Sequence, residues 1–493
     1  MITLLIPILL PVLGGLMLLI FRGFENRKTR NIYSFLLLAA SLAATLLVTY
    51  GCDGELKLWE ITSNVAITLR VDFITRIFAT LMSIMWVLVG VYAFDYMSHE
   101  EHEKRFFGFY LIVMGVLNGI YMSANLVTVY LFYELMTLTS LPLVLHSMTK
   151  EAIAAGKKYL FYSVGGAFLS LIAIFFLYGK CSIGDFTPGG SISSVLTEGD
   201  KNVLLIFVFM AIVGFGCKAG LFPLQDWLPT AHPVAPSPAS AVLSGLITKS
   251  GVVVIIRLVF FSLGSDMIRG TWVQYAWMSL TLLTVFMGSM MAYNEKLMKK
   301  RFAYSTVSQV SYILFGLSLL NYEGFTGGIL HVVFHSVIKD ALFLVAGAII
   351  VHTGIKTVDE LKGIGKKMPV TMWCFTICSL GLVGIPPLSG FVSKWHLCLG
   401  ALEDDFGIFS YLGPAILLVS ALLTAGYLLP ITIKGFFPGN DYDYSLCKKC
   451  EAGPLMLVPL IILTVATVFF GLFPNILTDA VEPYLAAALM LPN

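Results

Sequence analysis

The chain has 493 residues, of which 58% are hydrophobic and 12% are charged. Soluble proteins carry about 25% charged residues, so this composition excludes a soluble enzyme, a disordered tail and a nucleic-acid-binding protein. The formal net charge of +2 leaves no field that would attract a polyanion.

Apolar segments recur along the whole chain. A helix needs about 20 apolar residues to cross a hydrocarbon core of roughly 30 Å, and we find about 14 segments of that kind. Residues 2–21 lack a positive leader and a cleavage site, so they are predicted to be a retained helix. The loops between these segments are short, and residues 479–493 are predicted to be an interfacial tail. The predicted fold is an all-α polytopic membrane bundle. The predicted spans are 2–21, 32–50, 71–97, 106–123, 125–147, 157–178, 202–222, 235–262, 272–293, 302–320, 323–351, 370–400, 407–432 and 453–478.

The distribution of basic residues predicts the orientation of this bundle. The loops that follow odd-numbered spans carry most of the Lys and Arg. Lys and Arg accumulate in cytoplasmic loops, so both termini are predicted on the outer side of a multi-pass protein in the cell inner (plasma) membrane. The opposite loops and the ends hold only Lys57, Arg70, Lys180, Lys201 and Arg269.

Two predicted spans, the seventh and the twelfth, are broken by Gly and Pro beside a lysine, at 213–229 and 381–395. Proline removes a backbone donor, and irregular backbone at membrane depth is tolerated only where it is buried in protein or lines a wet cavity. The breaks lie five spans apart, which is typical of two inverted repeats. The predicted units are helices 1–3 at 1–105, a first repeat of spans 4–8 at 106–262, a second repeat of spans 9–13 at 272–432, and helix 14 with the tail at 453–493.

Several charged residues lie inside the predicted spans. A charge at the bilayer centre costs ~3 kcal/mol or more, so such residues are functional candidates. Arg257 lies near a helix end, from which its guanidinium can reach water. Arg76 has Asp72 one turn away as a partner of opposite charge. The charged residues without such a solution are Glu134, Lys218, Lys249, Lys339 and Lys394.

The buried lysines suit proton transfer. Burial disfavours the ammonium form, so Lys218, Lys249 and Lys394 can each load and release a proton. A pair of Glu134 and Lys218 would be a switch, because the closed pair holds both charges and the opened pair lets the lysine lose its proton. The alternative is a static buried ion pair, which contributes little stability.

Span 11 carries His331, His335 and Lys339 at positions i, i+4 and i+8, on one helical face about 12 Å long. Neutral histidine both donates and accepts a proton, so this string with water between its members is a proton wire. The alternative is a set of satisfied polar groups that hold helices together. The presence of other buried lysines favours the wire.

Other features leave alternatives open. Asp226, His232 and the Pro-rich run that follows form either a vestibule or a stiff turn. Cys447 and Cys450 make a single CxxC, which without a partner pair does not define a metal site. No Walker loop, dinucleotide fingerprint or iron–sulfur pattern is present in the sequence. We therefore expect no cofactor, no metal and no redox chemistry of its own, with energy supplied by an ion gradient or a partner subunit.

Five motifs resemble the antiporter-like subunits of respiratory complex I, a superfamily that includes the large subunits of Mrp cation/proton antiporters and of energy-converting membrane hydrogenases. The resemblance covers about residues 60–435 and includes D-type Mrp chains and the L-, M- and N-type chains of NADH-quinone oxidoreductase. One complex I subunit of this family has a long lateral C-terminal helix that this sequence does not match. We therefore expect the chain to be a family member other than that subunit. The motifs are LFYELM at 131–136, KAGLFPLQDWLPTAH at 218–232, PASAVLSGLITKSG at 238–251, HVVFHSVIKDALFL at 331–344 and GIPPLSGFVSK at 384–394.

The resemblance implies a role for each candidate residue. It implies 14 helices with inverted repeats and broken helices 7 and 12. It also implies an input pair of Glu134 and Lys218 and a central Lys249. At the output position, which is Lys394 here, some members carry glutamate instead of lysine. The implied relay and output residues are His331, His335, Lys339 and Lys394.

The sequence therefore predicts a proton-translocating membrane subunit of a redox-driven complex of the complex I or hydrogenase type. The alternatives are a subunit of an Mrp-type Na⁺/H⁺ antiporter and a purely structural membrane anchor. The expected partners are membrane subunits of the same family, small membrane subunits, a hydrogenase- or dehydrogenase-like peripheral arm, the lipid bilayer, and H⁺ or Na⁺ as the ion, with no nucleic acid.

Overall fold

A computed structural model describes residues 2–62, 65–181, 183–192, 197–439, 442–443 and 449–489. The described chain is mostly helical, and 12 of its helices are long and apolar enough to cross a membrane. The prediction of a multi-pass membrane protein is confirmed. The α-helices are α1 (Ile6–Ile20), α2 (Arg27–Gly51), α3 (Phe73–Tyr96), α4 (Glu103–Met122), α5 (Leu126–Val144), α6 (Lys150–Lys180), α7 (Glu198–Ala219), α8 (Leu228–Val234), α9 (Ser237–Val242), α10 (Thr248–Ile256), α11 (Trp272–Asn294), α12 (Met298–Ser318), α13 (Tyr322–Thr353), α14 (Ile364–Lys367), α15 (Pro369–Val383), α16 (Ser389–Glu403), α17 (Phe409–Phe436), α18 (Pro454–Leu472) and α19 (Asn475–Leu489).

Two predicted spans differ from the long apolar helices. The predicted span 302–320 coincides with α12, which begins with three basic residues at 299–301 and is more polar. The predicted span 370–400 is divided between α15 and α16, each of 15 residues. These two regions account for the difference between the 12 long apolar helices and the predicted count of about 14.

Both predicted interruptions are present, and the helices that precede them, α7 and α15, end in the same way. After α7, Gly220 adopts φ 78°, and after α15, Gly384 adopts φ 91°. Glycine takes this left-handed conformation without a Cβ penalty. In each case the glycine N–H and the next N–H donate back into the last turn, which is a Schellman cap. The chain resumes a helix at Leu228 and at Ser389, respectively.

The predicted eighth span contains wide turns that the sequence does not reveal. Segments of π-helix at Leu243–Ile247 and Arg257–Leu263 flank α10, and all three form one continuous, fully buried rod. A π-turn has one residue more per hydrogen-bonded ring than an α-turn, and such turns often occur at functional sites. Lys249 lies two residues after the end of the first of them.

The all-α prediction is wrong between α2 and α3. Two antiparallel strands, β1 (Glu55–Thr62) and β2 (Val65–Arg70), form a hairpin there. Apolar and polar residues alternate at 55–58 and at 67–70, a pattern that is typical of strands. Most of the predicted interfacial tail at 479–493 belongs to α19, where Tyr484 stacks on Phe73 at 4.1 Å between ring centroids.

The centre of the bundle is formed by α10 and α13. Almost every residue of α13 is buried, whereas the surrounding helices expose large apolar side chains such as Leu47, Phe161 and Leu422. An apolar exterior is stable in lipid and not in water. Four of the candidate residues, Lys249, His331, His335 and Lys339, therefore lie on the two helices that are farthest from lipid.

Candidate functional site

Lys218 lies in the last turn of α7, directly before the first interruption, and is fully buried. Its Nζ donates to Thr137 Oγ1 at 2.7 Å and to Tyr159 OH at 3.0 Å. The same ammonium lies over the rings of Tyr133 and Tyr159, 5.4 and 4.9 Å from their centroids. Neutral oxygens and aromatic faces therefore hold this lysine.

The expected direct contact between Glu134 and Lys218 is absent. Glu134 is half-buried on α5, and the Tyr130 OH donates to its Oε1 at 3.5 Å. No ion pair joins Glu134 to Lys218 within the described residues. The reason is that Lys218 reaches Thr137, one turn further along α5. In terms of the predicted switch, the pair is open in this structure.

Lys249 contacts the predicted histidine relay directly. Its Nζ donates to the Ser244 carbonyl at 2.8 Å and lies 2.6 Å from Nδ1 of His335 on α13. An ammonium has only donors, so Nδ1 supplies the lone pair in this contact. The other ring nitrogen, His335 Nε2, has no hydrogen-bond partner among the described residues.

His331 continues the line one turn away, with its ring centroid 5.9 Å from that of His335. His331 Nε2 lies 3.1 Å from Gln309 Oε1, and Nδ1 lies 2.8 Å from Ser393 Oγ. An amide oxygen only accepts, so Nε2 donates to Gln309 and Nδ1 accepts from the Ser393 hydroxyl. His331 is thereby connected to the helix that carries Lys394.

Lys394 is buried beside the second interruption. Its Nζ donates to the carbonyls of Leu382 and Val383 at 2.6 and 2.9 Å. These carbonyls end α15 and lack a partner within the helix, as helix C-termini do. The ammonium also lies over the Tyr312 ring at 5.2 Å from its centroid, and that ring stacks on His331 at 5.5 Å.

Lys339 does not continue the histidine line. Its Nζ donates to the Phe302 carbonyl of α12 at 3.1 Å, whereas Nδ1 of His335 faces Lys249 instead. The structure therefore brings Lys249, His335 and His331 together, followed by Ser393 and Lys394, and places Lys339 on a branch. Lys218 is separate, although α7 and α10 approach so closely at Gly251 that a Cβ there would lie 3.2 Å from the Cβ of Lys218.

The structure draws attention to three further buried titratable groups, of which the sequence singled out only His232, as part of a vestibule or a stiff turn. His232 stacks on Phe343 at 4.7 Å, and neither ring nitrogen has a partner within the described residues. Lys299, predicted to lie in a loop, is buried and donates to the Ala235 carbonyl. Asp340 is fully buried directly after Lys339. The signal for Asp340 was its position inside the span-11 motif.

A cavity of about 340 Å³ opens beside His232. It is lined by Glu100, Lys299 and Lys356 together with the Pro-rich run at 233–236. Asp226, by contrast, pairs with Lys158 and lies outside this lining. His232 is not among the lining residues either, so the vestibule stays a prediction beside the stiff turn.

Potential metal ligands are scattered rather than clustered in the described ranges. No group of three or more His, Cys, Asp or Glu suited to a metal occurs there. Of the CxxC pair, Cys447 lies outside the described residues, and the Cys450 backbone N–H donates to the Lys367 carbonyl at 3.0 Å.

The fold and the buried titratable groups define the class of this chain: a polytopic membrane protein whose core carries a line of lysines and histidines. A family model described as "NADH:quinone oxidoreductase/Mrp antiporter, TM" matches residues 123–435, and one described as "NADH-Ubiquinone oxidoreductase (complex I), chain 5 N-terminus" matches residues 59–107. The chain belongs to the NADH:quinone oxidoreductase/Mrp antiporter family, which confirms the resemblance found in the sequence.

Relatives occur in more than one branch of this family. The N-type subunit of the NADH-quinone oxidoreductase of Desulforudis audaxviator is 30% identical over 407 residues, covering 80% of this chain and 79% of that protein. The D-type subunit of the Na⁺/H⁺ antiporter of Alkalihalophilus pseudofirmus is 29% identical over 469 residues, covering 93% and 92%. A chain of the archaeal membrane-bound sulfane sulfur reductase has the same fold, with a TM-score of 0.85 at 20% identity over 98% of this chain and 97% of that one.

Proposed function

We propose that this chain is a proton-translocating membrane subunit of a multi-subunit, redox-driven complex. The observation that supports this proposal best is the contact series from Lys249 through His335 and His331 to Ser393, which lies within the buried core. Each member donates or accepts a proton, and buried ionisable residues in membrane proteins mark ion pathways. The relatives among complex I subunits point to the same function.

The proposed route runs along α13. Protons load at Lys218, pass to Lys249, cross His335 and His331, and leave through Lys394. Opening and closing of the Glu134–Lys218 pair drives loading, because a nearby carboxylate stabilises the ammonium and its withdrawal releases the proton. Lys339, held by the Phe302 carbonyl, is a branch that adjusts the charge near Lys249.

The architecture that we propose has 14 crossings and two inverted repeats. The repeats are residues 106–262 and 272–432, flanked by 1–105 and 453–493. The matching caps at Gly220 and Gly384 support this repeat, because both broken helices end in the same hydrogen-bonded turn beside a buried lysine. The basic loops support an orientation with both termini on the outer side of the cell inner membrane.

We propose that other membrane subunits cover α5. Glu134 is half-exposed in the isolated chain and lies beside the exposed Leu131, Leu135 and Leu138. A carboxylate facing lipid is costly, so a neighbouring membrane subunit of this family or a small membrane subunit contacts this face. A peripheral hydrogenase- or dehydrogenase-like arm would supply the energy.

Replacing Lys218 by Ala is expected to abolish gradient-coupled activity, because no ammonium remains to load. The measurement is acidification of inverted membrane vesicles by the assembled complex, with assembly verified by native gel. The exposed Lys157→Ala on α6 is the matched control and should pump normally. Unchanged pumping by the Lys218 variant would contradict the assigned role.

Replacing Ser393 by Ala should slow translocation about fivefold, the rate equivalent of ~1 kcal/mol for one hydrogen bond. The change removes the hydroxyl that donates to His331 Nδ1. The initial rate of proton uptake in vesicles measures this effect. Ser379→Ala, which alters a buried serine of α15 without a partner in the described chain, is the control. Equal rates in both variants would remove Ser393 from the route.

A second candidate function is Na⁺/H⁺ exchange in an Mrp-type assembly. The observation that favours it is the similarity to a D-type Na⁺/H⁺ antiporter subunit over 93% of this chain. Vesicles given a Na⁺ gradient and no electron donor separate the two functions. Proton movement under those conditions supports the exchanger, and movement that requires an electron donor supports the redox-driven pump.

A further inference from the structure

Asp340 is a buried carboxylate without a hydrogen-bond partner. Its exposed fraction is 0%, and neither Oδ1 nor Oδ2 is satisfied by another described residue. An unpaired charge in the interior costs several kcal/mol, so such groups are neutralised, paired or kept for a function. Packing alone gives no reason for a carboxylate at this position.

The surroundings of Asp340 are set by the π-helical segment before α10. Its carboxylate lies against Gly245, where a Cβ would overlap Oδ1. The preceding residue, Ser244, offers its carbonyl to Lys249 Nζ. Asp340 and Lys249 therefore face two consecutive residues of one wide turn, and their charges act on each other. No ion pair between them is present in the described part of the chain.

The other polar groups near Asp340 are already occupied. On its own helix, Ser336 donates to the Gly245 carbonyl at 2.6 Å, and Lys339 turns to α12. Tyr110 of α4, which interacts electrostatically with Asp340, donates its hydroxyl proton to the Trp86 carbonyl at 2.7 Å. Tyr92 of α3 donates to the carbonyl of Leu344, which lies one turn after Asp340 on α13. Among these titratable groups, Lys249 is the basic one whose charge acts on the Asp340 carboxylate.

We propose that Asp340 is a proton carrier that loads Lys249. In the loading step the O–H bond of the Asp340 carboxyl breaks and an N–H bond forms on the Lys249 amine, which leaves a carboxylate and an ammonium. The ammonium then gives its proton to Nδ1 of His335, and the Asp340 carboxylate takes the next proton from Lys218 through water. The inference rests on the proposed proton translocation and adds a residue to it.

The Gly245 contact explains why a small residue is needed at that position. Any side chain at 245 would displace the carboxylate from its present position, whereas glycine lets Asp340 and Lys249 approach the same turn. Substitutions at Gly245 and Asp340 therefore provide a test, because a packing role and a proton-transfer role of Asp340 predict opposite effects on proton uptake.

The test compares Asp340→Asn with Lys249→Met and the exposed control Asp266→Asn in the assembled complex. Proton uptake in vesicles should fall about 100-fold in Asp340→Asn, the usual contribution of a positioned proton-transfer group. The remaining activity should increase toward acid pH, because protons then reach Lys249 from water alone. Normal uptake and an unchanged pH profile in Asp340→Asn, together with loss in Lys249→Met, would overturn the role of Asp340 only. Normal uptake in both variants would overturn the proposed function as well.

A second comparison uses Gly245→Ala and the double variant Gly245→Ala/Asp340→Ala. The added methyl in Gly245→Ala displaces the carboxylate and should slow uptake. In the double variant the methyl fits the space left by the carboxylate. If Asp340 carries protons, the double variant stays inactive although it assembles. Recovery of uptake in the double variant would show that Asp340 acts by packing and would overturn the proposal.

Discussion

Replacing Lys249 by Met is expected to reduce proton translocation about 100-fold or more, because the proposed route loses its central proton-transfer group. The methionine side chain fills a similar volume, and His335 Nδ1 is left without the donor that it faces at 2.6 Å. The substitution also removes the desolvation penalty of a buried ammonium. We therefore expect normal assembly and lost transport, measured with a pH-sensitive dye in vesicles.

The matched control for this experiment is Lys150→Met, at the exposed start of α6. The control should pump at the normal rate. A purely structural membrane anchor would tolerate both substitutions equally. Full transport by the assembled Lys249 variant would therefore favour the anchor and contradict the route.

Replacing Asp72 by Asn should lower the free energy of unfolding by about 3–5 kcal/mol, the usual cost of removing one partner of a buried ion pair. The Arg257 side chain is 0% exposed, and both of its terminal nitrogens donate to the Asp72 carboxylate. Asn keeps an oxygen for the Thr75 N–H, which Asp72 caps at 3.0 Å. The uncompensated guanidinium is therefore the main consequence, and it should appear as a lower Tm of the purified subunit in detergent.

The surface pair of Arg269 and Asp266 provides the control for this effect. Its side chains are 36% and 64% exposed, and such pairs contribute about 0–1 kcal/mol. Asp266→Asn should thus leave the Tm nearly unchanged. The double variant Asp72→Asn/Arg257→Met removes the unpaired charge and should recover part of the loss. Equal Tm values for Asp72→Asn and Asp266→Asn would contradict the buried-pair explanation.

The hydropathy pattern was sufficient for the membrane class, and local residues were sufficient for the interruptions. Apolar runs locate helices because lipid requires every backbone group to be satisfied within the segment. Gly220 and Gly384 mark the breaks because each backbone turn needs a positive φ. The hairpin at 55–70 was missed because its short alternating segments lie in a connection between two much stronger helical patterns.

The side-chain contacts depended on helix rotation, which spacing does not fix. The i, i+4, i+8 pattern placed His331, His335 and Lys339 on one face, yet α12 draws Lys339 away from the histidines. The predicted Glu134–Lys218 contact is open because Thr137 and Tyr159 hold the lysine. A π-helical segment precedes α10, where Lys249 reaches His335, and sequence periodicity carries no signal for such a turn.

Ordered water in a high-resolution cryo-EM map of the assembled complex would show whether the proton route is connected and hydrated. We expect water at His335 Nε2 and at the Asp340 carboxylate, both unpartnered in the described chain, and a water bridge between Lys218 and Lys249. Apolar side chains filling those positions, with no water between the two lysines, would contradict the proposed route.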